Sequence, residues 1–269
     1  GYFHKNEQVS RTLEYAYDDF LVGEMAHALG RDDDAALFQK RAQNYRNLID
    51  PQVGFARGRH ADGSWSAPFD PAIAYSYITE GLPYQYTFFV PQDMPGLIEL
   101  VGGAKAFAKK LDALFAGGYY DHGNEPSHHI SYLYNYAGEA WKTQMHVRTL
   151  MEAKYFDRPD GLAGNDDCGQ MSAWYVLSAL GFYPVTPGVP TYQIGTPLFD
   201  EATILLPGSK RFHIVATGAS EGKQYIRSAT LNGLPLQRTW ISHQEIVGGG
   251  ELIFEMSSEP NPAWPASPD

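Results

Sequence analysis

The chain has 269 residues, 43% of them apolar, which allows one large or two ordinary domains around a sizeable core. Twenty Lys and Arg stand against 31 Asp and Glu, and a net charge of −11 without a basic run argues against nucleic acid or anionic membrane as partners, leaving cations as natural guests. Cys168 is the only cysteine, which excludes an internal disulfide and leaves the redox compartment open, and no apolar run approaches the ~20 residues that span a bilayer.

The first residue is Gly1, with neither an initiator Met nor a signal-like segment, as in a processed or fragmentary chain. From Ser10 to Gly30, Leu13, Ala16, Tyr17, Phe20, Leu21, Ala28 and Leu29 follow the 3.6-residue period of an amphipathic helix that Gly30 closes. Asp33 to Asp50 predicts a second helix, ended by Pro51, so that the two form a helical hairpin. Gly54 to Asp70 is rich in Gly, Arg, Asp and Pro and predicts an irregular connection. Helical patterns return at Leu97–Leu100, Ala104–Phe115, Ser127–Tyr136, Glu139–Tyr155 and Gln170–Leu180, about seven helices in all.

After Pro184 the period changes. Ala202–Leu206, Phe212–Ala216, Tyr225–Leu231, Leu236–Ile241 and Leu252–Met256 predict short strands, with turn signals at Gly208 and Asn232–Gly233. The expected domains are 1–188, helical, and 189–269, an antiparallel β module, with the boundary near Pro187–Pro190. The Pro-rich tail SSEPNPAWPASPD is expected to lie extended on the surface.

Three loops concentrate polar groups that a core would not favour. In YITEGLPYQYTFFVPQD, Glu80 stands among Tyr75, Tyr77, Tyr84, Tyr86 and Phe88. A carboxyl enclosed by rings is desolvated, which raises its pKa and suits a general acid; the plain alternative is a surface glutamate beside a turn. In YYDHGNEPSHH, Asn124 and Glu125 precede Pro126, where they serve either as helix-start residues or as oxygen ligands of a hard cation such as calcium. The histidines there lack the helical two-histidine spacing of a zinc protease. In AGNDDCGQMSAWYVLSALGFYPV, Asp167 and Gln170 have the spacing of a capping box, while Asp166 beside Asp167 implies a repulsion that some cation, donor or function must offset. A carboxylate held at a helix start is also a candidate base toward water. The abundance of Tyr and Trp suits stacking on sugar rings as well as a core.

At these loops the chain resembles the glycoside hydrolase family 92 enzymes, calcium-dependent exo-α-mannosidases. The resemblance rests on TLEYAYDDF, RAQNYRNLIDPQVGFARGR, YITEG followed by QYTFFVPQD, HGNEPSHHISYLYNYAGEAWKTQ, GLAGNDDCGQMSAWYVLSALGFYPVTPG, YQIGTPLFDEATI and SATLNGLPL, which occur in the family's order along nearly the whole chain. It implies removal of a terminal α-linked mannose, most readily α-1,2, from glycans with inversion. In that reaction one carboxylic acid protonates the leaving oxygen and a carboxylate ~6.5–9.5 Å away activates water. By motif position Glu80 is the acid and Asp167 the base, with Asn165 and Asp166 in support. Asn124 and Glu125 are implied calcium ligands, and Arg57, Gln85, His122 and Trp174 are implied sugar contacts, each with an alternative role of packing or pairing within the loops.

The resemblance further implies an (α/α)6 toroid followed by strands, of which this chain would hold the C-terminal part, and a periplasmic or extracellular setting. The missing N-terminal portion, or another chain, is then a candidate partner, and the alternative reading is an incomplete, non-catalytic carbohydrate-binding piece. Two local departures stand out: Leu82, Pro83 and Tyr84 replace the Asn and Trp usual after Glu-Gly, and the link from Phe115 to Tyr119 is shorter than in typical relatives.

Overall fold

The computed structural model describes residues 8–265 and divides the chain into two compact units, Gly1–Ser127 and His128–Asp269. In the first, α1 (Gln8–Ala28) and α2 (Asp32–Ala42) form the expected hairpin. Val9, Leu13, Ala16 and Ala26 line the buried face of α1, and Gly23 faces Gln39 and Phe38 of α2. Buried Asp19 on α1 accepts from Arg41 Nε on α2 at 2.9 Å, and three aspartates in the first turn of α2 complement its dipole.

The second predicted helix is too long. After Ala42 the chain tightens into a 3-10 turn, Gln43–Asn47, and then enters a short hairpin of β1 (Ile49–Asp50) and β2 (Phe55–Ala56). The reason is tertiary: Ile49 and Asp50 are both buried, and Asp50 is paired with Arg57 across the hairpin at 2.9 Å. A short helix α3 (Pro83–Tyr86), too short to show a period in the sequence, falls inside the aromatic loop. Asp93 caps α4 (Met94–Leu100) by accepting from Gly96 N–H at 2.9 Å, and α5 (Ala104–Ala116) buries Phe107, Ala108, Leu111 and Leu114.

In the second unit the predicted helix Ser127–Tyr136 is instead a 3-10 segment, Ile130–Ala137, ended by left-handed Gly138. Two α-helices follow, α6 (Ala140–Lys154) and α7 (Gln170–Leu180). The strands after them are β3 (Phe182–Tyr183), β4 (Thr191–Ile194), β5 (Glu201–Leu205), β6 (Arg211–Val215), β7 (Tyr225–Leu231), β8 (Leu234–Pro235), β9 (Trp240–Ser242) and β10 (Gly250–Ser257), with a short helix α8 (His243–Gly248) before the last. They form a three-stranded antiparallel sheet, β3-β4-β9, and a five-stranded sheet in the order β5-β6-β10-β7-β8.

The expectation of an all-antiparallel module fails at one ladder, since β10 pairs with β6 in parallel, Gly250 opposite Phe212. β10 returns after β7, β8, β9 and α8 and enters the sheet between β6 and β7, so that it runs with one neighbour and against the other. The change from helix to strand lies inside the second unit. Buried Arg148 on α6 donates to the carbonyls of Pro197 and Ala219 at 2.7 and 3.2 Å, and Gln144 accepts from Ile226 N–H at 3.0 Å. Ala140 and Phe182 share one core with Phe212, Ile214, Leu252 and Phe254. The tail is tied down as well: Trp264 is buried in that core and donates to Leu236 O at 3.3 Å, while the last four residues of the stretch lie outside those described. Among the described residues no helix is long and apolar enough to cross a membrane.

Because Phe212 is fully buried and Leu205 is 80% exposed at the sheet edge, their truncations should separate cleanly. Phe212→Ala is expected to cost about 3–5 kcal/mol in denaturant unfolding, and Leu205→Ala within about 0.5 kcal/mol of zero.

Candidate active site

Glu80 has φ +50°, in the left-handed region, where a non-glycine residue costs of order 1–3 kcal/mol and persists only when its surroundings over-determine it. Hydrogen bonds hold the turn on both sides. Ser10 Oγ, on α1, accepts from Thr79 N–H at 3.1 Å; Asn124 Nδ2 donates to Glu80 O at 2.9 Å; and Gln85 Oε1 accepts from Leu82 N–H at 2.6 Å. Gly81 lies so close to α3 that a Cβ would come within 2.9 Å of Gln85 Oε1 and 3.0 Å of the Tyr86 ring. The result is an exposed glutamate on a braced turn, so the expected enclosure of Glu80 by aromatic rings is not formed. The rings stack on one another instead, Tyr75 on Tyr77 at 4.7 Å and Tyr84 on Tyr119 at 4.5 Å.

Tyr86 is buried beneath this turn and donates its hydroxyl to Glu14 Oε1 at 3.1 Å. Burial first, then the Glu14, Glu80 and Glu125 carboxylates, push the phenol well above its ordinary pKa, so it remains a neutral donor. The nominated acid, Glu80, and the nominated cation ligand, Glu125, therefore act electrostatically on the same hydroxyl.

Asn124 and Glu125 lie on the neighbouring loop, Glu125 exposed at the start of a 3-10 turn, Glu125–Ser127. Because the Asn124 amide nitrogen is committed to Glu80 O, its Oδ1 faces away from that bond as an acceptor, and with the Glu125 carboxylate it makes a hard oxygen donor set of the kind calcium takes. These two side chains provide only part of the six to eight oxygens calcium binds, and among the described residues no group of three or more His, Cys, Asp or Glu is placed to hold a metal. Backbone, water and substrate oxygens would have to complete the shell.

Four expected sugar contacts have structural partners. Arg57 Nη1 donates to buried Asp50 at 2.9 Å, its Nε to Ser66 O at 2.7 Å, and its guanidinium lies 4.9 Å over the Phe69 ring. Gln85 is buried and serves the Leu82 amide. His122 is buried with its Nδ1 2.7 Å from the Tyr120 hydroxyl. Trp174 is 0% exposed, donates from Nε1 to His128 O at 3.0 Å and stacks on Tyr155 at 5.8 Å. It is core in the second unit, on the inner face of α7.

The aspartate pair divides its labour differently from the capping-box expectation. Gly169 is the N-cap residue of α7 and gives no side-chain cap. Asp166 Oδ1 accepts from both Ser172 N–H at 3.1 Å and Ser172 Oγ at 2.7 Å, so Asp166 is the carboxylate that serves the first turn of the helix. Gln170 does not reach back to a cap; its amide nitrogen is within 3.0 Å of Tyr183 Oη and 3.2 Å of His128 Nδ1. Asp167 is exposed, begins a run of three left-handed residues (φ +48°, +58° and +97° at Asp167, Cys168 and Gly169), and its carboxylate makes no hydrogen bond or ion pair among the described residues. Asn165 is exposed on the same loop. The pairing of Asp166 with Ser172 is what sequence reasoning missed; the hydroxyl two residues into the helix is the signal that could have pointed to it. Glu14 was also missed, because nothing local marks a helical glutamate as the partner of a tyrosine 72 residues away.

The chain belongs to glycosyl hydrolase family 92, whose catalytic-domain model matches residues 1–258. Its fold superposes on a family GH92 alpha-mannosidase of Bacteroides thetaiotaomicron with a TM-score of 0.92 at 43% identity, over 97% of this chain and 36% of that one. A family GH92 inverting mannosidase of the same organism gives 0.91 at 39% identity, over 98% and 39%. An uncharacterized secreted glycosidase of Arthroderma benhamiae is 32% identical over 278 residues, 93% of this chain and 36% of the relative. The chain thus spans somewhat more than a third of the length of these relatives.

The two aspartates are separable by stability. Asp166→Ala is expected to cost about 1 kcal/mol, lowering Tm by roughly 2–4 °C, and Asp167→Asn to leave Tm within about 1 °C of the parent.

Proposed function

We propose that the protein containing this chain is an inverting, calcium-assisted α-mannosidase that removes terminal α-1,2-linked mannose from glycans, with Glu80 as general acid and Asp167 as general base. The observation that supports it best is that both carboxylates ride on left-handed backbone, where strain concentrates at functional sites, and that neither is engaged by a hydrogen bond or ion pair among the described residues. Asp50 and Asp166, by contrast, commit their carboxylates to partners within the fold. The names borne by the two Bacteroides structures support the substrate class and, for one of them, inversion.

In this reading the Glu80 carboxyl gives its proton to the glycosidic oxygen as the bond to the anomeric carbon breaks. Asp167 takes a proton from the water that attacks the opposite face of the ring, and Asp166 and Asn165 shape its loop. Glu125 and the Oδ1 of Asn124 would hold calcium, which when bound supplies polarisation of sugar hydroxyls and favours distortion toward the oxocarbenium-like transition state. Asn124 then has two tasks, since its nitrogen already fixes the Glu80 carbonyl. The helices are read as part of an (α/α)6 toroid, and the setting as periplasmic or extracellular, in line with the secreted fungal relative.

The test is release of mannose from α-1,2-mannobiose by the intact protein. Chelation of calcium should abolish turnover and added calcium restore it, and Glu80→Gln and Asp167→Asn should each lose ~10²–10⁴-fold in kcat with Tm preserved. Turnover indifferent to a chelator would remove calcium from the mechanism, and full activity in either variant would remove that residue from its role.

A further inference from the structure

The Glu80 turn is braced from outside at three backbone positions, Thr79 N–H, Glu80 O and Leu82 N–H. The fourth brace is a side chain. The Tyr86 ring packs closely on Gly81, where an added Cβ would lie 3.0–3.1 Å from it, and its hydroxyl is tied to Glu14 Oε1 on α1 at 3.1 Å. Glu14 lies one helical turn along from Ser10, whose hydroxyl holds the Thr79 amide, so two residues on one face of α1 fix the two ends of the turn that carries Glu80.

We propose that Tyr86, anchored by Glu14, is a positioning residue that sets the direction of the Glu80 carboxyl. The proposal rests on the reading of Glu80 as the general acid. With the hydroxyl tether lost, the Tyr86 ring is free to slide along Gly81, and the left-handed residue before it can relax toward an ordinary backbone region and carry the carboxyl away from the leaving oxygen. A general acid matters most when the leaving group is poor, so misplacement of Glu80 has a kinetic signature that general loss of folding lacks.

Tyr86→Phe is expected to lower kcat on α-1,2-mannobiose by ~10–100-fold, with KM changed by less than about threefold. It should lose far less on 2,4-dinitrophenyl α-mannoside, whose leaving group departs without a proton. Glu14→Leu should behave like Tyr86→Phe, and Glu14→Gln, which keeps an acceptor oxygen, should stay near the parent. Glu80→Gln must show the same dependence on leaving group. If it does and Tyr86→Phe slows both substrates equally, the positioning role is overturned; if Glu80→Gln itself slows both equally, the acid assignment beneath it falls. Amide hydrogen exchange decides the structural half without turnover: Tyr86→Phe and Glu14→Leu should speed exchange at Thr79 and Leu82 by ~10-fold, and unchanged exchange at both amides overturns the proposal.

Discussion

A glutamate at φ +50° does not stay there by its own preference; L side chains avoid that region, and a flexible loop would relax out of it. What keeps Glu80 in place is a set of contacts made by buried or half-buried residues, some remote in sequence and some directly after the turn. Ser10 and Glu14 come from α1, Asn124 from the HGNEP loop, and Gln85 and Tyr86 from the short helix directly after the turn. The helical hairpin supplies a rigid face, Asp19 and Arg41 lock its two helices together, and the Asp50–Arg57 pair fixes the hairpin of strands that follows.

The same logic governs the aspartate loop of the second unit, with the division made between neighbours. Asp166 spends its carboxylate on Ser172 and so anchors the start of α7, while Asp167, one residue on, turns into left-handed backbone and keeps its carboxylate uncommitted. Beside it, Asp166 accepts two hydrogen bonds from Ser172, which favour its charged form. Trp174, one turn into the same helix, anchors it from below through His128 and Tyr155. A rigid helix start is the prerequisite for a loop that can hold strain.

Helices α1, α5, α6 and α7 were legible because each carries a 3.6-residue pattern with a Gly, Pro or capping residue nearby. The strands β5, β6, β7 and β10 were legible from alternation, shown by β10, in which Leu252, Phe254 and Met256 point inward. Elements of two to four residues, such as β1, β3 and α3, are too short to display a period at all. The helix that became a 3-10 turn and a strand after Ala42 failed for another reason: its apolar residues suit either state, and the buried Asp50–Arg57 contact chose between them.

The sequence by itself determined the family, the longer helices and strands, and the loops in which the chemistry-bearing residues lie, because motif identity and periodicity are local properties. Glu80, Asp167, Asn124 and Glu125 could be nominated from those loops. Only the tertiary structure decided which polar residues are spent on the fold and which are left over. Trp174 is packed in the core, Arg57 and Gln85 are engaged by Asp50 and by the Leu82 amide, and the capping role passed from Asp167 to Asp166. These assignments depend on hydrogen bonds, such as that from Asn124 to Glu80 across 44 residues and that from Tyr86 to Glu14 across 72, whose partners are chosen by packing and leave no mark in either local sequence.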